Sequence, residues 1–60
     1  SELQRQYNAI SVSLGKDKER QKIVDSMEEL PEDLKQGITD MIQKGIEAGE
    51  KRLRKIDNYK

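Results

Sequence analysis

Short apolar stretches alternate with long charged stretches along the chain, and this pattern predicts where its elements lie. The segment at 8–14 reads Asn-Ala-Ile-Ser-Val-Ser-Leu. Its apolar residues Ile10, Val12 and Leu14 occupy every second position, which is the period of a half-buried strand. With Tyr7 and Ala9 alternating onto the other side, the pattern predicts a strand.

The same segment also fits one face of a helix. Spacings of four, three and four residues connect four side chains: Leu3, Tyr7, Ile10 and Leu14. Two features favour the strand over the helix. The β-branched residues and serines at 10–13 lower the helix propensity, and the helical stripe omits Val12. We therefore predict a flexible arm at 1–6 and a strand at 7–14, with a helix as the alternative.

Two helices are predicted after this segment. Asp17 is a candidate N-cap for a helix at 17–30, whose apolar stripe comprises Ile23, Val24, Met27 and Leu30. Pro31 separates it from a second helix, because proline suits a first helical turn and disfavours helix before it. The second helix is predicted at 32–56, with a long stripe: Leu34, Ile38, Met41, Ile42, Ile46, Leu53 and Ile56. Gly37, Gly45 and Gly49 weaken it or permit a close helix crossing.

Composition indicates a chain too small to fold by its own core. It has 60 residues, of which 32% are hydrophobic and 40% are charged. A domain of this size buries only about 60% of the surface that its unfolded chain exposes, so small scaffolds depend on disulfides, metals or partner chains. Cysteine and histidine are both absent, which excludes a disulfide and a zinc site of the usual type. We therefore expect an obligate homodimer.

Enzymatic chemistry is not predicted. No nucleophile motif or phosphate-binding glycine loop occurs, so we expect no catalytic residue, no metal and no cofactor.

The net charge is zero, with five acidic residues and no basic one at 25–34. Residues 35–60 carry seven basic and four acidic residues. No segment has the roughly 18 apolar residues of a membrane span and no signal peptide is evident, so a cytoplasmic location is expected. Because the chain starts at Ser1 and not at a methionine, we expect that it has been processed or trimmed.

A lone strand followed by two helices resembles the ribbon-helix-helix family of DNA-binding proteins. The resemblance covers about residues 7–50 and rests on the segments NAISVSL, GKDKER, IVDSM and LKQGITDMI. It implies a mainly α fold with one short strand, in an intertwined homodimer whose strands form a two-stranded antiparallel ribbon. The implied dimer core comprises Ile10, Val12, Leu14, Ile23, Val24, Met27, Leu34, Ile38 and Ile42.

The resemblance also implies a DNA-binding surface. A β-ribbon fits the major groove, and here its outward face carries Ala9, Ser11 and Ser13. Other predicted contacts are Arg5 and Tyr7 beside the ribbon, Lys16 and Lys18 after it, and Lys35 and Gln36 at the start of the second helix. Glu32 and Asp33 depart from the family pattern, since acidic residues at that helix end repel phosphate.

The implied function is sequence-specific binding of double-stranded DNA, cooperative on repeated sites. The segment ISVSLGKDKERQKIVDSMEEL resembles the DNA-binding domains of centromere-binding proteins of plasmid partition systems of the ParR type. The resemblance implies that role, with a filament-forming partner recruited through a C-terminal segment, or the role of a transcriptional repressor. The alternative is an all-α three-helix hairpin or bundle, with helices near 2–14, 17–30 and 32–56. Such a chain would act as a protein-interaction or inhibitor module without binding DNA.

Overall fold

Two α-helices, α1 (Glu2–Ser26) and α2 (Glu32–Tyr59), form an antiparallel hairpin in the computed structural model. The structure describes residues 1–59, so the last residue of the predicted domain, Lys60, lies outside it. The hairpin is a single layer measuring 45 × 14 × 11 Å. Its radius of gyration is 14.2 Å, whereas a compact chain of this length has about 10 Å. The molecule is therefore a rod with two broad faces.

The predicted strand at 7–14 is wrong, because this segment is the middle of α1. The predicted arm at 1–6 is helical as well. Ser1 is the N-cap, and its hydroxyl accepts a hydrogen bond from Gln4 N at 3.2 Å. Asp17 is not an N-cap but an interior residue of the same helix. The β-branched residues and serines of this segment cost only a few tenths of a kcal/mol each in a helix, which tertiary packing overcomes.

Polar residues in the inward stripe of α1 explain the wrong prediction. The stripe repeats every three or four residues and comprises Tyr7, Ile10, Leu14, Asp17, Gln21 and Val24, all at least partly buried. Asp17 and Gln21 interrupt its apolar pattern. The Asp17 carboxylate accepts a hydrogen bond from Arg20 at 2.8 Å, and Gln21 Nε2 donates to Thr39 Oγ1 of α2 at 3.2 Å. These partners satisfy the Asp17 carboxylate and the Gln21 amide nitrogen at positions that face the other helix, whereas Gln21 Oε1 is buried without a hydrogen-bond partner.

The connection between the helices forms close to the predicted place. α2 begins at Glu32, and Pro31 O accepts the first helical hydrogen bond from Lys35 N at 2.9 Å. The predicted helix end at 30 is wrong, because α1 ends at Ser26. The Ser26 hydroxyl donates to Ile23 O at 2.7 Å, and Met27 turns into extended backbone with φ −81° and ψ 97°. A connection at 27–31 then reverses the chain.

The fold class predicted from the family resemblance is therefore wrong. Residues 1–59 contain no strand, so they form no β-ribbon and no ribbon-helix-helix dimer of the predicted kind. The all-α hairpin that was the alternative is confirmed. Its helices near 2–14 and 17–30 are one continuous helix that passes through Gly15.

Few side chains are removed from solvent in this hairpin. The buried apolar residues are Leu14, Val24, Ile46 and Ile56, each with 8–9% of its surface exposed. Among residues 1–59, no side chain is less than 2% exposed. Two helices enclose only a single seam, so the hairpin alone gains little of the hydrophobic stabilisation that a larger core supplies.

Leu14 of α1 packs directly on the backbone of α2 at Gly49. A methyl group added at Gly49 would lie 2.8 Å from Leu14 Cδ2 and 3.1 Å from Leu14 Cγ. One turn away, a methyl group at Gly45 would lie 3.4 Å from the Asp17 carboxylate. Glycine at 49 therefore makes room for a leucine from the opposite helix, and this contact fixes the register of the hairpin.

Replacing Gly15 with alanine is expected to stabilise the protein by about 1 kcal/mol. Gly15 lies inside α1, its φ is not positive, and an added methyl group would meet nothing within 4 Å. The gain therefore reflects helix propensity alone and is measurable as a higher midpoint in urea denaturation. A loss of stability would contradict a helix that continues through this position.

Candidate interaction surface

One broad side of the hairpin carries large apolar side chains in the half nearest the turn. Ile23 of α1 and Ile38 and Met41 of α2 line a shallow groove over Val24 and Ile42. Two further side chains extend it toward the turn, Met27 four residues after Ile23 and Leu34 seven residues before Met41. We call the set Ile23, Met27, Leu34, Ile38 and Met41 the apolar face.

Four of these side chains are open to solvent, and Ile38 is partly buried. Met41 is 75% exposed, Leu34 53%, Ile23 50% and Met27 46%. Single exposed apolar residues are common on protein surfaces, but a contiguous group marks a site of interaction. Arg20 borders the groove, and its guanidinium is held by Asp17.

The opposite side of the hairpin is entirely polar. Its positions recur every seven residues on the other flank of each helix and are all exposed: Gln4, Ser11, Lys18, Asp25, Gln36, Gln43, Glu50 and Asp57. We call this set the polar face. Its residues bond within one helix, as where Gln36 Nε2 donates to Asp40 Oδ1 at 2.9 Å. The two sides of the rod therefore differ strongly, although both are at the surface.

Small residues continue the apolar side toward the open end of the hairpin. Ala9 and Ser13 of α1 and Gly45 and Gly49 of α2 line a second shallow groove, which Arg52 borders. Ala48 follows Gly45 on the same flank of α2. This half of the surface therefore has low relief, while the half near the turn carries long side chains.

Charge is distributed unevenly along the rod. The turn end carries four exposed acidic residues, Glu28, Glu29, Glu32 and Asp33, and the last part of α2 carries four exposed basic residues, Lys51, Arg52, Arg54 and Lys55. Because α2 spans most of the length of the rod, the acidic and basic clusters lie toward opposite ends. The molecule has zero net charge but is electrically polar along its axis.

The residues predicted to read DNA do not share a surface. In a strand Ser11 and Ser13 would point the same way, but in α1 they lie on different sides, Ser11 on the polar face and Ser13 beside Ala9 in the second groove. Lys18 and Gln36 lie on the polar face. Lys16 is exposed and follows Ala9 by seven residues, so it lies on the same flank of α1 as the second groove. Arg5 is exposed, and Tyr7 and Lys35 are partly buried in the inward stripes.

The residues predicted as the dimer core divide into two groups. Leu14 and Val24 are buried between the helices, with Ile10, Ile38 and Ile42 partly buried. The others are at least 46% exposed: Val12, Ile23, Met27 and Leu34. Val12 is exposed in the first half of α1, while the remaining three belong to the apolar face.

Sequence reasoning did not assign Met41, Gly45 and Ala48 to a site. The available signal is a second stripe in α2 through Leu34, Met41 and Ala48 at intervals of seven residues. It lies beside the inward stripe and makes the apolar arc of α2 broader than one helix can cover. A broad arc indicates that α2 has two apolar contacts to make.

Comparison with protein-family models, curated protein sequences and solved structures gave no match. Within residues 1–59, no three acidic side chains form a group that could hold a metal ion. Neither described helix has the length and apolar character that crossing a membrane requires.

Proposed function

We propose that this chain is a protein-interaction module that works by burying its apolar face against another helical surface. The observation that carries the proposal is the contrast between the two sides of the rod. The apolar face has five large side chains side by side, four of them exposed and Ile38 partly buried, while the polar face has charged or amide groups or a hydroxyl at each of its eight positions.

The shape of the apolar face suits a helical partner. Ile38, Met41 and Ile42 of α2 and Ile23 and Val24 of α1 line a groove between the two helices. Amphipathic helices bind such grooves through side chains spaced three, four and seven residues apart. Methionine adapts its shape to a partner more readily than branched residues do, and it occupies the most exposed position of the face.

Site-specific photo-crosslinking in the producing cells tests this proposal. A photoreactive residue is placed at Met41 on the apolar face or, as a matched control on the same helix, at Gln43 on the polar face. We expect a discrete protein adduct at 41 and much less at 43. Wild-type chain co-expressed in excess should compete for the adduct, and a co-expressed Met41→Lys chain should compete poorly.

Two results would contradict the proposal. Equal labelling from both positions would indicate contacts without a preferred face. The second result is an adduct with nucleic acid instead of protein, together with salt-dependent binding of the purified chain to duplex DNA. It would indicate that the chain binds DNA through contacts other than a β-ribbon.

A further inference from the structure

We propose that the occupant of the apolar face is a second copy of this chain, seated antiparallel in a four-helix bundle. The inference rests on the proposed function and names its partner. In this arrangement α2 of one copy packs on α2 of the other and α1 on α1, with a two-fold axis that passes near Met41. Each acidic turn then lies over the basic part of the other copy.

The area that the hairpin leaves exposed matches one side of a dimer interface. Its accessible surface is 4945 Å² for a mass of 7.0 kDa. A compact monomer of this mass exposes about 4,000 Å², so the hairpin exposes about 900 Å² more. A stable protein–protein interface buries about 800 Å² per partner. One face-to-face contact with a second copy therefore removes the excess.

The side chains along α2 are complementary to themselves when the helix is reversed. Leu34 and Ala48 each lie seven residues from Met41, and Ile38 and Gly45 lie three and four residues from it. Antiparallel pairing about Met41 therefore sets Leu34 against the partner's Ala48 and Ile38 against the partner's Gly45. On either side of the central Met41 pair, large side chains meet small ones along the seam, which is how facing layers interdigitate at native density.

The distribution of charge along the rod also favours antiparallel pairing of the two copies. Asp33 lies eight residues before Met41 and Lys51 lies ten residues after it, so the antiparallel pair brings them to similar heights along the bundle. The other acidic residues of the turn then face the partner's basic cluster. In a parallel pair the two acidic turns would meet, and Leu34 would face its own copy. Electrostatic complementarity of this kind selects orientation.

Single-cysteine variants test the arrangement, because the chain contains no cysteine of its own. Met41→Cys, Leu34→Cys, Ala48→Cys and Gln43→Cys are each treated with a short bismaleimide at native pH, and circular dichroism checks that each is helical. Met41→Cys is expected to form a covalent dimer, since its two copies meet at the axis. Gln43→Cys, on the polar face, is the matched control and should remain monomeric on a denaturing gel.

The relative orientation of the two copies is determined by mixing two single-cysteine variants. Leu34→Cys carrying a mass tag and untagged Ala48→Cys should give the mixed dimer in large excess over either self-dimer. Efficient self-coupling of Leu34→Cys without mixed dimer would mean parallel pairing and would overturn the antiparallel inference.

Sedimentation equilibrium separates failure of this inference from failure of the proposed function. A dimer of the wild-type chain is expected at micromolar concentration. A monomer throughout, with no crosslinking at position 41, would exclude the second copy as occupant. Photo-crosslinking of Met41 to a different protein would then leave the proposed function intact, whereas the absence of any protein adduct would remove both.

Discussion

Lysine in place of Met41 is expected to raise the dissociation constant of the dimer about 100-fold, equivalent to about 2.7 kcal/mol. Symmetry doubles the change, because the axis passes near this residue and brings two lysines together. Each ammonium group would be buried without a partner and would face a like charge, which is costly in an apolar seam. Sedimentation equilibrium over a concentration series measures the constant directly.

Gln43→Lys is the matched control for this experiment. It adds the same charge to the same helix two residues away, on the polar face. Substitutions at such exposed positions usually change a free energy by less than about 0.5 kcal/mol. Two copies per dimer therefore change it by less than about 1 kcal/mol, so the dissociation constant should change by about fivefold at most. If Met41→Lys and Gln43→Lys weakened the dimer equally, net charge and not the apolar face would govern association.

Folding and association are expected to be coupled in this protein. The four buried apolar residues of the hairpin, Leu14, Val24, Ile46 and Ile56, form one narrow seam. When a partner copy binds only the folded chain, the midpoint of thermal unfolding rises with protein concentration. Met41→Lys should therefore also lose helicity on dilution at concentrations where the wild-type chain remains helical.

The second helix was more predictable than the first for a physical reason. Pro31 followed by Glu32 and Asp33 marks a helix start in the local sequence, since proline fits the first turn and acidic residues favour the helix dipole there. α2 does begin at Glu32. The continuity of the first helix is harder to predict, because its inward stripe contains Asp17 and Gln21. Asp17 is paired locally with Arg20, but the Thr39 partner of Gln21 lies on the other helix and is not visible as a local sequence pattern.

The interaction surface was predictable only in part. Ile23, Met27 and Leu34 were correctly identified as apolar positions, but they were placed in a core that depended on a β-ribbon. Once α1 is continuous, the inward stripe is filled by other residues, and these three remain exposed. Each helix has two adjacent apolar stripes, and the packing of the partner helix determines which of them is buried in the hairpin. Here the Leu14–Gly49 contact buries the inward stripe and leaves the other exposed.

Gly49→Ala is expected to destabilise the wild-type chain but to stabilise a chain in which Leu14 is replaced by alanine. In the wild-type chain the new methyl group would lie 2.8 Å from Leu14 Cδ2. Overpacking of this kind costs about 1–3 kcal/mol, which exceeds the gain of about 1 kcal/mol in helix propensity. We therefore expect Gly49→Ala to lose about 1 kcal/mol of unfolding free energy, compared with the wild-type chain at the same concentration.

The Leu14→Ala background removes the obstacle. Leu14→Ala alone should lose about 3 kcal/mol, since it empties a buried site. Adding Gly49→Ala should then recover about 1 kcal/mol, because the methyl group enters vacated space and the helix propensity gain is realised. The coupling of about 2 kcal/mol between the two sites is typical of residues in direct contact, and urea denaturation of the four chains measures it.

Gly15→Ala supplies the control cycle, because a methyl group at that position meets nothing within 4 Å. It should stabilise the wild-type and the Leu14→Ala chains by the same amount. If Gly49→Ala behaved in the same way, with equal effects in both backgrounds, Leu14 and Gly49 would not be in contact. The register of the hairpin would then differ from the one that exposes Met41, so this measurement also tests the foundation of the interaction surface.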